Sequence, residues 1–184
     1  MQTLLAISRG IDALTAFVGR WVYWLILAAV LVSAGNAIVR KVLDISSNAW
    51  LELQWYLFGA AYLLASAYTL QRNDHIRIDI LSNALPKRVR DWIDVFGHIV
   101  MLLPFAGLMV YESWPFFYNS FISGEMSGSA GGLILWPARL MLLLGFTLLL
   151  LQGLSELIKR VAILRGAMEE PGAPSERADQ VPIK

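Results

Sequence analysis

The sequence contains no cysteine and only 2 histidines in 184 residues. It therefore has no disulfide framework, no thiolate nucleophile and no cysteine-ligated metal or iron–sulfur site. Charged residues are also scarce, at 16% of the chain, with a formal net charge of +1. Nucleic-acid-binding proteins concentrate basic residues to neutralise phosphates, so nucleic acid is excluded as a partner.

Two further absences concern transport and catalysis. No ionisable residue lies at the centre of a long apolar run, where proton relays and ion-coupled carriers place charged groups. The glycine-rich stretch 128–132 lacks the lysine and the preceding strand of a phosphate-binding loop. Alone, this chain is predicted neither to catalyse a reaction nor to transport a solute.

The sequence is rich in apolar residues. Hydrophobic residues make up 57% of the chain, and the mean hydropathy is +0.58. Uncharged runs cover residues 21–39, 53–71 and 95–111, and a leucine-rich apolar stretch extends from Trp136 to about Ser155. At about 1.5 Å rise per residue such runs approach the ~30 Å hydrocarbon thickness. An all-α integral membrane protein is predicted, with four transmembrane helices in a domain spanning residues 20–165.

The two ends of the chain differ from this domain. Residues 1–19 carry apolar groups at a spacing near 3.6, and Ser8, Arg9, Asp12 and Thr15 lie among them. This pattern predicts an amphipathic helix at the membrane interface, with these residues on its polar side. A signal peptide is the alternative, but the uncharged run that follows is longer than a usual signal-peptide core and no small-residue cleavage site follows it, so the first span is predicted to be retained as an anchor. Residues 166–184 contain three prolines and mixed charge, which predicts a disordered cytoplasmic tail.

The distribution of Lys and Arg sets the predicted orientation. Arg9 and Arg20 precede the first span, five basic residues lie in the 72–94 loop, and five follow residue 155. The opposite loops hold only Arg40 and Lys41, with Arg139 just inside the fourth span. Both termini are therefore predicted in the cytoplasm. Trp and Tyr residues near the ends of the runs agree with these span edges.

Several polar residues accompany the spans. Asn36 lies inside the first span, where an unpaired amide is costly, so it is expected to bond to another helix or a partner subunit. Glu52, Glu112 and Arg139 are expected at the end of the bundle away from the termini, as a polar cluster or as helix-end residues, with Glu112 beginning the loop after the third span. Small residues recur every four positions at Ala29, Ser33 and Ala37, which favours close packing of spans one and two.

At this point the residues resemble a known family. Asn36 is followed by Arg40, and Trp50-Leu51-Glu52 opens the second span, which contains Gly59-Ala60-Ala61. His75-Ile76-Arg77-Ile78-Asp79 and Leu85-Pro86 follow in order. The chain resembles the small membrane subunit, of DctQ type, of tripartite ATP-independent periplasmic (TRAP) transporters. The likeness in topology covers residues 5–165, and Leu53 stands where many relatives have a second acidic residue.

The resemblance implies a scaffold subunit of a bacterial inner-membrane complex. A much larger membrane subunit would hold the sodium and substrate sites, and a soluble periplasmic binding protein would deliver an organic acid anion. This chain would hold no cofactor, and membrane lipids would surround it. The resemblance assigns contact with the large subunit, or fixing of helix ends, to Asn36, Arg40, Glu52, His75, Arg77 and Asp79, and Arg139 is added as a candidate.

Two other hypotheses belong to different classes. His75 and His98 lie near the same membrane face on neighbouring spans and could ligate a haem, as in the membrane anchor of a respiratory enzyme. A solvated His75 and a hydrogen-bonded His98 are the simpler interpretation. A self-assembled channel or small exporter is the third hypothesis, and the lack of a charge at mid-membrane argues against it.

Overall fold

The computed structural model describes residues 2–44, 47–72 and 86–166. These residues form α1 (Gln2–Leu43), α2 (Asn48–Arg72), α3 (Lys87–Gly97), a π-helical segment (His98–Leu102), α4 (Leu103–Ser123) and α5 (Trp136–Leu164). The only β pairing in these ranges is an isolated bridge between Met126 and Ile134. The prediction of an all-α fold is confirmed.

Helix α1 differs from the prediction of a separate interfacial helix. It is one helix of 42 residues, about 63 Å long at a rise of about 1.5 Å per residue. No proline interrupts it, and its buried residues recur every seven positions at Ser8, Thr15, Val22 and Ala29. In residues 2–19 the side chains of Leu4, Ile7, Leu14 and Phe17 are exposed, whereas Ser8 and Thr15 are buried against the bundle. The segment 2–19 therefore shares one packed face with the predicted first span.

The same seven-residue spacing appears on other helices. Helix α2 buries Ala60 and Ala67, and α4 buries Ala106, Ser113 and Ser120. Small residues let helix backbones approach closely, and a seven-residue period favours left-handed crossing at about +20°. The predicted four-residue spacing on α1 holds in part, because Ala29 is buried and Ser33 is half-buried but Ala37 is exposed. The predicted packing of α1 against α2 is present.

Helix α5 lies at the centre of the bundle. It contacts α1 and α2, which also pack against each other, and it contacts α3, the π-helical segment and α4. Edge-to-face ring pairs join α4 to α5 at two levels, Phe105 with Phe146 at 5.9 Å and Phe121 with Trp136 at 5.5 Å. Because α5 contacts every other helix, it holds the two halves of the bundle together.

Three helical stretches are long and apolar enough to cross a membrane: Gln2–Leu43, Trp92–Ser123 and Trp136–Leu164. The chain is therefore a multi-pass membrane protein. Helix α2 has 25 residues, but Glu52, two glutamines and several Tyr and Trp residues lower its hydropathy, so the predicted second span is not among the three. The third stretch continues to Ser123 instead of ending at Tyr111, which places Glu112 on an exposed helical position.

The junction between α3 and α4 has a local cause. Pro104 lies in the first turn of α4 and has no N–H to donate, and its ring would clash with a carbonyl one turn earlier. The Leu103 N–H instead bonds to the His98 carbonyl, five residues back. The widened π turn accommodates the proline without ending the helix.

Gly145 allows α2 and α5 to touch. A Cβ atom at this position would lie 2.6 Å from the Leu63 Cβ and 3.1 Å from the Leu63 carbonyl oxygen. Gly145→Ala should therefore force the helices apart and lower the free energy of unfolding by about 1–3 kcal/mol. Thermal unfolding in mild detergent measures this. Gly107→Ala is the control, because its Cβ meets nothing within 4 Å and alanine favours a helix. Equal stability of the two variants would contradict the close approach.

Candidate functional site

The loop between α4 and α5 folds into a compact hairpin, residues 124–135. Gly124 ends α4 with φ of 60°, a left-handed conformation that glycine adopts without strain. The Ser127 N–H donates to the Leu133 carbonyl at 2.8 Å, and the Leu135 N–H donates to the Glu125 carbonyl at 2.9 Å. These bonds close the hairpin on itself.

One face of α2 holds this hairpin. Asn48, Glu52 and Tyr56 are spaced one turn apart, and we call their contacts with residues 124–135 the hairpin clasp. The Asn48 amide donates to the Ala130 carbonyl at 3.0 Å, and the Tyr56 hydroxyl donates to the Ile134 carbonyl at 3.4 Å. Between them, the Glu52 carboxylate accepts the Leu133 N–H at 2.7 Å and the Ser127 hydroxyl.

Glu52 is the centre of the clasp. Glu52 is only 8% exposed, and it lies just before the apolar run 53–71. The Leu133 N–H, and then the Ser127 hydroxyl, lower the pKa of the Glu52 carboxyl below its ordinary value of 4.5 because both stabilise the charged form. The hairpin backbone comes close here: a Cβ atom on Gly132 would lie 2.9 Å from Glu52 Oε1.

Arg139 ties the hairpin to the helices on its other side. Its guanidinium pairs with Glu125 at 2.7 Å and lies 4.0 Å from the centre of the Phe116 ring. A cation in the first turn of a helix opposes the helix dipole, and the carboxylate offsets this cost. Glu52 on α2 and Arg139 on α5, both candidate residues from the sequence, thus contact the same hairpin.

A second polar cluster lies at the opposite end of the bundle. We call it the termini cluster, because it joins the start of α1 to the end of α5. The Asp12 carboxylate accepts the Gln152 amide at 2.9 Å, the Ser155 hydroxyl at 2.8 Å and the Lys159 ammonium at 3.1 Å. Lys159 also pairs with Glu156. The cluster consists of Ser8, Asp12, Gln71, Gln152, Ser155, Glu156 and Lys159.

The neighbouring helices join this cluster. The Gln71 amide at the end of α2 donates to the Asp12 carbonyl at 2.9 Å. The Arg160 guanidinium lies 3.3 Å from the Asp94 carboxylate on α3. Ser8 and Ser155 share a buried hydroxyl bond of 2.7 Å. Side-chain contacts at this end of the bundle therefore join α1, α2, α3 and α5.

Sequence reasoning missed the termini cluster. Asp12 was placed on the polar face of an interfacial helix, and Lys159 was counted only as a basic residue of the tail. The available signal was Gln152, an amide within a run of leucines, which would require a polar partner on a facing helix. Because α1 and α5 run antiparallel, Asp12 near the start of α1 lies beside Gln152 near the end of α5.

The remaining predicted residues are distributed along α1 or lie elsewhere. Asn36 is half-buried, one seven-residue step after Ala29, and its amide makes no hydrogen bond within the described ranges. Arg40 is exposed in the last turn of α1, where a cation complements the helix dipole. His75, Arg77 and Asp79 lie outside the described residues.

His75 and His98 are the two residues of the haem-ligand hypothesis. His98 Nδ1 bonds to the Asp94 carbonyl at 2.7 Å, a contact within its own helix rather than across helices. Among the described residues, no group of three or more His, Cys, Asp and Glu side chains is placed to hold a metal ion. His75, the second proposed haem ligand, lies outside the described residues.

The family model of the DctQ component of tripartite ATP-independent periplasmic transporters matches residues 29–162. Comparisons with curated proteins and with solved structures give no match. The matched range covers more than half of the chain and extends from the middle of the first predicted span past the last residue of the termini cluster. It favours the transporter hypothesis over the haem anchor, and it implies a non-enzymatic component. The chain belongs to the DctQ family, the small membrane component of TRAP transporters.

Proposed function

We propose that this chain is the fixed scaffold subunit of a sodium-coupled TRAP transporter that imports an organic acid anion. The large membrane subunit would hold the sodium and substrate sites, and a periplasmic binding protein would deliver the substrate to the assembled complex. The family match is the observation that carries this proposal. The selecting residues would then belong to the partner chains.

The polar contacts support a scaffold role. The hairpin clasp and the termini cluster hold the bundle at opposite ends, and the middle is packed through small residues. Polar contacts between helices favour one arrangement of them, and in the described residues only Gln71 Oε1 and Gln152 Oε1 of the termini cluster are buried without a hydrogen-bond donor. A bundle fixed at both ends suits a static framework against which a second subunit moves.

The orientation follows from the basic residues. We place the termini cluster, both termini and the 73–85 segment on the cytoplasmic side of the bacterial inner membrane. The hairpin clasp then faces the periplasm, where the binding protein approaches. Arg40, His75, Arg77 and Asp79 remain candidates for contacts with the large subunit or for fixing helix ends.

Asn36 offers a test of the partner interface. In an apolar helix its free amide gains from a partner, and replacing it should not weaken the bundle itself. Asn36→Leu should therefore leave the unfolding temperature of the isolated chain unchanged or higher. Its binding to the large subunit should weaken by about 3- to 20-fold, the range of single interhelical hydrogen bonds. Microscale thermophoresis with the purified large subunit measures this, and a loss of stability without loss of binding would contradict the assignment.

Reconstitution tests the whole proposal. The chain, the large subunit and the binding protein are placed together with liposomes, and uptake of labelled dicarboxylates, keto acids and sugar acids is measured. Uptake should require all three proteins and an inward sodium gradient. Uptake by this chain alone, or uptake of an acid that does not respond to sodium, would contradict the scaffold role or the sodium coupling respectively.

A further inference from the structure

Two levels of polar contacts show how deep each helix lies in the membrane. The hairpin clasp holds α2 at Glu52, and the termini cluster holds the other end of α2 at Gln71. Nineteen positions separate these two residues, which is about 28 Å at a rise of about 1.5 Å per residue. This length matches the ~30 Å hydrocarbon thickness of a bilayer. The part of the bundle between the clasp and the cluster therefore lies in hydrocarbon.

Helix α4 crosses the same region beside α5. Near the hairpin, the Phe121 ring lies 5.5 Å from the Trp136 ring at the start of α5. Near the termini cluster, a Cβ atom on Gly153 would lie 3.3 Å from Leu103 Cδ2. Glu112 is nine positions from Phe121 and nine from Leu103, so it lies about 13 Å from either level. Glu112 is therefore near the middle of the membrane, although the sequence placed it at the start of a loop.

The Glu112 side chain is exposed on α4. Leu108 and Tyr111 beside it are 58% and 74% exposed. Within the ranges that the structure describes, Glu112 has neither an ion pair nor a hydrogen bond. A carboxylate at this depth is costly in lipid, and such residues usually face protein or a water-filled cavity and pair with another group. This face of α4 is therefore unsuited to lipid alone.

Two polar groups near Glu112 can also bind a partner. Pro115 has no N–H, so it cannot donate to the Tyr111 carbonyl one turn earlier. Asn119 is exposed seven positions after Glu112 on the same side of the helix, and its amide has no hydrogen bond to the described part of the chain. Asparagine in a membrane helix is typical of contacts between helices. Because the carboxylate and the carbonyl only accept hydrogen bonds, the group that meets them must donate.

Resting on the proposed function, we propose that this face of α4 binds a transmembrane helix of the large subunit, whose Arg or Lys side chain pairs with Glu112. Charge complementarity selects this partner, because a basic side chain neutralises the carboxylate and donates hydrogen bonds, and an acyl chain does neither. A symmetric contact between two copies of this chain would bring two Glu112 carboxylates together, which disfavours a second copy. Asn119 bonds to the same helix nearer the hairpin.

Binding of the purified full chain to the purified large subunit, measured by microscale thermophoresis in mild detergent, tests the ion pair. Glu112→Gln should weaken binding by about 30-fold or more, because it leaves the partner's buried basic side chain without a counter-charge. The matched control is Asp44→Asn, which removes the same charge from an exposed position just after α1 and should bind as the unaltered chain does.

The outcomes separate this inference from the proposed function. Equal binding by Glu112→Gln and the unaltered chain, or equal weakening in Glu112→Gln and Asp44→Asn, would overturn the inference and leave the scaffold role intact. Failure of the unaltered chain to bind the large subunit would overturn both.

Photo-crosslinking locates the partner without changing Glu112. p-Benzoylphenylalanine replaces Leu108, one turn earlier on the same side of α4, and cells that express all components of the transporter are irradiated. The proposal predicts an adduct with a transmembrane segment of the large subunit that contains Arg or Lys. Glu112→Lys combined with replacement of that basic residue by Glu should restore the binding that either change alone removes. An adduct with phospholipid, with a second copy of this chain or with a segment that has no basic residue would overturn the proposal.

Discussion

Lys159→Met should destabilise the chain by about 2–3 kcal/mol. The Lys159 ammonium lies between Asp12 and Glu156, and the side chains of all three are less than a quarter exposed. Methionine keeps most of the stem volume and removes the charge, which leaves two carboxylates on the same Gln152 amide without a cation. Removing one member of a buried ion pair costs several kcal/mol, and partial exposure reduces that figure here. Chemical unfolding of the purified chain measures the loss.

Two further variants separate this effect from a general effect of charge. Lys41→Met removes the same charge from an exposed position at the other end of α1 and should change stability by less than about 0.5 kcal/mol. Asp12→Asn combined with Lys159→Met should cost less than the sum of the single changes, because the two groups interact directly. Full additivity would show that the termini cluster does not act as a unit.

Glu52→Gln should release the hairpin from α2. The carboxylate accepts two hydrogen bonds, from the Leu133 N–H and the Ser127 hydroxyl, and a glutamine amide presents a donor to one of them. Hydrogen exchange at the Leu133 amide should accelerate by about tenfold or more, since a charge-assisted bond is lost. Glu112→Gln, an exposed carboxylate on α4, is the control and should leave exchange in the hairpin unchanged.

The same contact predicts a pH dependence. The donors hold the pKa of Glu52 below 4.5 in the folded chain, so its contribution to stability is complete above that value. The contribution is lost as the pH falls through the lowered pKa, because protonation removes the acceptor charge. The protection factor of the hairpin amides, which is corrected for the intrinsic pH dependence of exchange, should fall in the unaltered chain on acidification below about pH 4.5. In Glu52→Gln it should show little further change. Parallel pH profiles for the two would contradict the role of Glu52.

The apolar runs of the sequence predict where the helices are, but they do not predict which face of each helix is buried. The helices and the membrane class follow from runs of apolar residues, and Glu52 and Arg139 were correctly assigned to one end of the bundle. Hydropathy alone did not show that Ser8 and Thr15 face inward, because in lipid the apolar face of a helix points outward and small polar residues can pack inside.

The termini cluster depends on register rather than on composition. Asp12 and Lys159 are 147 positions apart, and nothing local to either residue indicates the other. Their contact requires that α1 and α5 run antiparallel and that α1 continues without a break past Arg20. The end of the third helix was also missed, because Glu112 was taken as the start of a loop when it is an exposed residue within α4.

The most direct test of the scaffold claim is purification of this chain, tagged and expressed from its native operon, in mild detergent, followed by quantitative mass spectrometry. The account predicts recovery of a large polytopic membrane protein in near-equal amount, and no haem absorption. Recovery of the chain alone, or with a soluble dehydrogenase and a haem spectrum, would contradict the account. His75 and His98 would then be the leading candidates for functional residues, as haem ligands.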